Sequence, residues 1–166
     1  MLRGAAPIRH AKHPSQLTME TGRAVMFFLN SCKACSQAIE IPVLSDFDGD
    51  VLYQTEDMKH FAIVDLYQNP AMDLISQILH TRGKLEYKNW GIAQRILCDV
   101  AEPIGNQRYI EDGKRCPLCG AKLTAWSDDV KVGMRHLPSP QWNRFMALDP
   151  TERERMVESM IDEYWQ

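Results

Sequence analysis

No stretch of this 166-residue chain approaches the ~20 consecutive apolar residues that a membrane-spanning helix requires, so no membrane partner is expected and a soluble, cytoplasmic protein is predicted. Positive charge is not in excess either. The 19 Lys and Arg face 22 Asp and Glu, a net charge of −3, so the broad basic surface of a typical nucleic-acid binder is missing. Catalytic motifs are also missing. His10, His13, His60, His80 and His136 stand in no metal-protease, nucleophile-elbow or phosphate-loop context, so a reaction has no locus and a non-enzymatic protein is expected. What remains is ordinary globular composition, 45% apolar and 25% charged, which excludes a wholly disordered chain.

Cysteine is scarce but ordered. Four of the five cysteines fall in two pairs, Cys32-Lys33-Ala34-Cys35 and Cys116-Pro117-Leu118-Cys119, and Cys98 stands apart. Two intervening residues let one tight turn aim both sulfurs at a single ion, and a reducing compartment leaves such thiols free for metal. Four protein ligands close the coordination sphere. A catalytic zinc keeps a position open for water, so this metal is expected to be structural. Cys98 reads as a small apolar core residue on a helix.

Short apolar runs flank both pairs. Val25-Met26-Phe27-Phe28-Leu29-Asn30 reads as a strand entering the first knuckle and Ala38-Ile39-Glu40-Ile41-Pro42-Val43 as one leaving it. Gln107-Arg108-Tyr109-Ile110-Glu111 and Lys122-Leu123-Thr124-Ala125-Trp126 frame the second in the same way. Two knuckles on separate hairpins resemble a zinc ribbon, the rubredoxin-like arrangement that clamps one ion. The resemblance implies a single structural Zn2+ held by Cys32, Cys35, Cys116 and Cys119, with iron as the competing metal. Gly120 follows the second knuckle as the family pattern asks, free to take a positive φ; Ser36 occupies the matching place in the first, at some cost in backbone strain. The long separation of the pairs is no obstacle, since each doubling of a loop adds only about 0.6 kcal/mol.

The expected class is α+β: zinc-ribbon hairpins packed with a mainly helical insertion and a C-terminal helix. Residues 1–25 are read as a flexible basic arm, in which Arg3, Arg9, Lys12 and Arg23 oppose Glu20 for a net of +3, leaving −6 on the other 141 residues. A leader preceding a start at Met19 or Met26 is the alternative reading. Residues 26–166 form one domain, with ribbon blocks 26–43 and 107–126, an insertion over 44–106 and a helical segment over 138–166.

Within the insertion, Asp46, Asp48, Asp50 and Asp57 imitate calcium-loop spacing. Gly49 and Val51 sit wrongly for that loop, and the stretch reads as a solvated turn. Thr55-Glu56-Asp57-Met58 offers a cap and first-turn acids ahead of Phe61–Tyr67, an apolar run compatible with strand or helix and assigned to helix. Asn69-Pro70 opens a helix ended by Gly83, another runs from near Asn89 to before Pro103, and Ser139-Pro140 begins a short one that turns Trp142, Phe145 and Met146 inward. Asp149-Pro150-Thr151-Glu152 caps the last helix, which carries Val157, Met160, Ile161, Tyr164 and Trp165 on one face with Met156 beside them.

Two functions follow. In the first, the protein is an adaptor, inhibitor or immunity-type protein that binds a protein partner. The apolar face of the last helix then either joins the core or, through Met156, Met160, Tyr164 and Trp165, docks that partner. In the second, Arg108, Tyr109, Lys114, Arg115 and Lys122 around the second knuckle form a basic–aromatic patch for nucleic acid, as in zinc ribbons of transcription factors.

Overall fold

A computed structural model describes residues 22–44, 49–83, 90–110, 115–123 and 130–165. The chain runs β1 (Arg23–Ser31), β2 (Ala38–Val43), β3 (Asp50–Thr55), β4 (Phe61–Asp65), α1 (Pro70–Thr81), α2 (Trp90–Asp99), β5 (Tyr109–Ile110), β6 (Val130–Leu137), α3 (Asn143–Ala147) and α4 (Pro150–Tyr164). The class is α+β, with two antiparallel three-stranded sheets among the described residues, ordered β2-β1-β6 and β4-β3-β5.

The molecule is layered: helices, then the β4-β3-β5 sheet, then the β2-β1-β6 sheet. Alternation along β3 and β4 produces this. Ala62, Val64 and Tyr53 face the main core with Met72, Ile75 and Leu79 of α1, Ala93, Ile96 and Leu97 of α2, Phe145 of α3, and Val157 and Ile161 of α4. The neighbouring positions Phe61, Ile63 and Leu52 pack the other way, against Val25, Phe27 and Leu137 of the first sheet. Strand β4 is therefore apolar on both faces.

That sandwiching explains one correction. Phe61–Asp65 is a strand, not a helix, because a strand buried on both sides shows no polar alternation. The Thr55 cap belongs instead to the β3–β4 turn. There the Met58 N–H bonds the Thr55 carbonyl at 2.7 Å, the His60 N–H bonds Thr55 Oγ1 at 3.1 Å, and Met58 takes a φ of 61°. The insertion over 44–106 thus carries a strand pair, β3 and β4, beside the two longer helices α1 and α2.

The helices start where their caps predict. Asn69 accepts from the N–H groups of Ala71 and Met72 at 3.0 and 3.3 Å ahead of Pro70. Asp149 accepts from Glu152 at 3.0 Å ahead of Pro150. Trp142 donates its ring N–H to the Leu97 carbonyl at 2.9 Å and Phe145 is buried, but Met146 is exposed, because so short a helix turns little of its surface inward. Cys98 is buried in the main core, as read.

The sequence pattern assigns no strand over 130–137, where the structure has β6. Strand β6 has no burial alternation to betray it: seven of its eight residues are exposed or half-buried, and its register slips where it passes Phe27 and Phe28 of β1. Strand β5 spans Tyr109–Ile110 and pairs with β3 among the described residues. Arg23, Ala24 and Val25, at the end of the predicted arm, open β1, and Val25 is buried. The acids Asp46 and Asp48 and the segment 124–126 lie outside the described residues.

Candidate metal centre

The first knuckle is the tip of a true hairpin. β1 and β2 pair in register from Met26↔Val43 to Ser31↔Ala38, and Cys32 follows as the chain turns. The Cys32 N–H bonds the Gln37 carbonyl at 3.0 Å and the Ser36 N–H bonds the Cys32 carbonyl at 2.7 Å. The second knuckle repeats the same two bonds one for one: Cys116 N–H to the Ala121 carbonyl and Gly120 N–H to the Cys116 carbonyl, both at 2.9 Å. Both turns need a left-handed residue after the second cysteine, and both have one, Ser36 at φ 58° and Gly120 at φ 75°. The two turns are equivalent although their sequences share little beyond the cysteines.

The four sulfurs converge. Cys32 Sγ lies 3.6 Å from Cys119 Sγ and Cys35 Sγ 3.9 Å from Cys116 Sγ. All four sit within 4.8 Å of one another. A tetrahedral ion with metal–sulfur bonds of about 2.3 Å spaces its sulfurs at about 3.8 Å, so the cluster has the dimensions of a four-thiolate site. Donor type and spacing together suit a thiophilic, tetrahedral cation.

Burial grades across the cluster. Cys32 and Cys116 are buried among Ile39, Ile41, Phe61, Ala121 and Leu123, Cys35 is half-buried, and Cys119 is exposed. Electrostatics grade with it. The Cys35 N–H is the main cause drawing the Cys32 thiol down to about 6. At Cys119 the Ala121 N–H also lowers, but loss of hydration beside the cluster and the sulfurs of Cys32, Cys116 and Cys35 outweigh it and push the thiol up to about 12. Cys35 is raised too, the Gln37 N–H being outweighed by burial and by Cys32 and Cys116. Four thiolates cannot share this space without a cation between them, and a divalent metal reverses that penalty.

A residue the sequence did not single out fixes the second knuckle. Gln54, fully buried on β3, donates its amide to the carbonyls of Arg115 at 2.8 Å and Met58 at 2.9 Å, while its Oε1 accepts from the Arg115 N–H at 2.9 Å. One side chain thereby ties the residue before Cys116 to the β3–β4 turn. Met58 also carries its sulfur and terminal methyl beside Gly120. A lone glutamine in an apolar strand is the signal that was present, but it does not name its partner.

The other predicted site residues scatter. Arg108 is exposed, with its carbonyl taking the Glu56 N–H at 2.9 Å. Tyr109 is buried, its ring 6.1 Å from that of Tyr53. Arg115 and Lys122 bridge across the second knuckle, and Lys114 lies outside the described residues. On α4, Met160 and Tyr164 pack against the main core, with the Tyr164 hydroxyl on Asp99 and its ring 3.9 Å beneath the Arg95 guanidinium. Met156 and Trp165 are 38% and 37% exposed.

Among the described residues, no helix is long and apolar enough to cross a membrane. No family model, curated protein or solved structure matches the chain.

Proposed function

We propose that this is a non-enzymatic cytoplasmic protein that carries one structural zinc ion and acts by binding another protein, as an adaptor, inhibitor or immunity-type protein does. The observation that carries the reading is the closed set of four sulfurs at tetrahedral spacing, lodged where the first hairpin meets the second knuckle. Such a site staples a fold and leaves no position for substrate. Zinc is preferred to iron because the sequence carries no redox-partner signature and has a long insertion between the knuckles.

The interaction half of the reading draws support from the outer strand of the first sheet. Val130, Val132 and Met134 of β6 are 56%, 41% and 63% exposed on an edge strand, the register slip setting Met134 opposite Met26 and Val130 opposite Leu29. Met26, Phe28 and Val43 join Met134 and Lys131 in lining a hollow of about 410 Å3 beside it. Met156 of α4 and Trp165 at its C-cap are separately exposed, at 38% and 37%. The nucleic-acid alternative has less in its favour, since the ring counted on for stacking, Tyr109, lies in the core, which leaves Arg108, Arg115 and Lys122 of that patch to meet phosphate.

Elemental analysis of the reduced, metal-supplied protein tests the first half; less than half an equivalent of zinc or iron per chain overturns it. Affinity purification with Met134→Glu and Met156→Glu variants tests the second. A specific co-purifying protein lost in one variant supports it, whereas an unchanged partner set in both overturns it. Low-salt nucleic-acid binding that falls steeply with salt and weakens in Lys122→Ala would put the alternative in its place. Point variants are needed because removing residues 149–166 would strip Val157 and Ile161 from the core.

A further inference from the structure

We propose that the four-sulfur centre is redox-responsive, exchanging its metal for a disulfide between Cys119 and Cys32 when a peroxide reaches it. The inference rests on the metal reading above and adds a regulation to it.

Access and contact decide the order of events. Cys119 is exposed, beside Leu118, which is 62% exposed, whereas Cys32 and Cys116 are buried at 2% and 0%. A small oxidant from solvent therefore meets Cys119 first. The sulfur then facing Cys119 is Cys32, 3.6 Å away on the other knuckle. Closing that gap to a disulfide bond of about 2.05 Å needs side-chain rotation and a small approach of the two turns. Cys32 and Cys116 are held in their turns by the same pair of backbone bonds, so the choice of Cys32 rests on its 3.6 Å contact with Cys119 across the knuckles.

The chemistry balances with hydrogen peroxide as the oxidant. The Cys119 thiolate attacks one peroxide oxygen, the O–O bond breaks, and the departing hydroxide takes a proton to become water. Cys119 is now a sulfenic acid and a poorer metal ligand. The Cys32 thiolate attacks its sulfur, the S–O bond breaks, and a second hydroxide leaves as water on protonation. Two thiolates have lost two electrons to one peroxide, and the ion, reduced to two ligands, departs.

The linkage distinguishes this centre from a pair of ordinary Cys-x-x-Cys switches. A bond within either knuckle would leave the two knuckles separate. The Cys32–Cys119 bond spans 87 positions of sequence and keeps the first hairpin joined to the second knuckle after the ion has gone. Oxidation thus swaps one clasp for another.

The test uses the full chain loaded with zinc and treated with one equivalent of hydrogen peroxide. Zinc release is followed with a chromogenic chelator, and linkages are mapped by mass spectrometry without reduction. Expected are release of the bound zinc, a Cys32–Cys119 peptide as the main product, and recovery of zinc binding after reduction. Brief alkylation of the loaded protein is expected to label Cys119 ahead of Cys35 and Cys98. Zinc bound but retained through oxidation, a main product of Cys116–Cys119 or Cys32–Cys35, or earlier labelling of Cys98 overturns this inference alone. Failure to load zinc at all overturns the metal reading and this inference with it.

Discussion

The side chain of Gln54 pairs with the main chain of Arg115 as a neighbouring strand would, accepting the Arg115 N–H at 2.9 Å and donating to its carbonyl at 2.8 Å. A single amide thereby adds a strand-like pairing to the residue that enters the second knuckle. Replacing it with Leu leaves the half-buried Arg115 N–H and the carbonyls of Arg115 and Met58 without that partner. The expected loss is about 3 kcal/mol, or roughly 10 °C in Tm, read by thermal unfolding. Gln54→Glu turns a carboxylate toward the carbonyls of Arg115 and Met58, and its penalty should ease as the pH is lowered and the introduced carboxyl protonates. A Gln54→Leu protein as stable as the parent would remove this role.

Metal removal should act on stability in the same region. Cys32→Ser and Cys116→Ser alter the two buried ligands and are expected to abolish stoichiometric metal binding and lower Tm by more than Cys119→Ser, whose site faces solvent. Chelation of the parent should reproduce the Cys116→Ser melting curve. Equal curves before and after chelation would show that no metal supports the fold.

The matched turns of the two knuckles make a reciprocal pair of predictions. Ser36 holds a φ of 58°, so Ser36→Gly should stabilise the metal-loaded protein by about 0.5 kcal/mol. Gly120→Ala should destabilise it by about 1 kcal/mol through its φ of 75° alone, since an added Cβ there meets nothing nearer than Met58 at 3.5 Å. Chemical denaturation of both variants checks the signs.

The docking of α4 should loosen in alkali. Burial, and then the hydrogen bond to Asp99, raise the Tyr164 hydroxyl to about 12. A group whose acid form is favoured by folding contributes fully below its unfolded value near 10, and that contribution fades as pH rises through the folded value. The parent should therefore lose stability between about pH 10 and 12 more steeply than Tyr164→Phe, as followed by circular dichroism. Parallel curves would mean that the hydroxyl does not couple α4 to α2.

The sequence was most legible where chemistry is local. The cysteine pairs, the Asn69-Pro70 and Asp149-Pro150 caps and the β1–β2 hairpin each declare themselves within a few residues. It was least legible where identity depends on surroundings. Phe61–Asp65 hides its period because layers cover both faces, and β6 hides its own because few of its residues are covered at all. The second knuckle looked like half of a regular ribbon, yet its support comes from Gln54, whose partner lies 61 positions away. No periodicity encodes such a contact.

The wide separation of the two knuckles also gives the ion a place in time. Cys32 and Cys119 stand 87 positions apart, and between them the chain must build β3, β4, α1 and α2 and set Gln54 in place before the fourth sulfur can arrive. Contacts of such long range form late in folding. Tight metal uptake should therefore lag behind the burial of Trp142 in a refolding experiment, and the ion should be captured only by chains that have already assembled the layers beneath it.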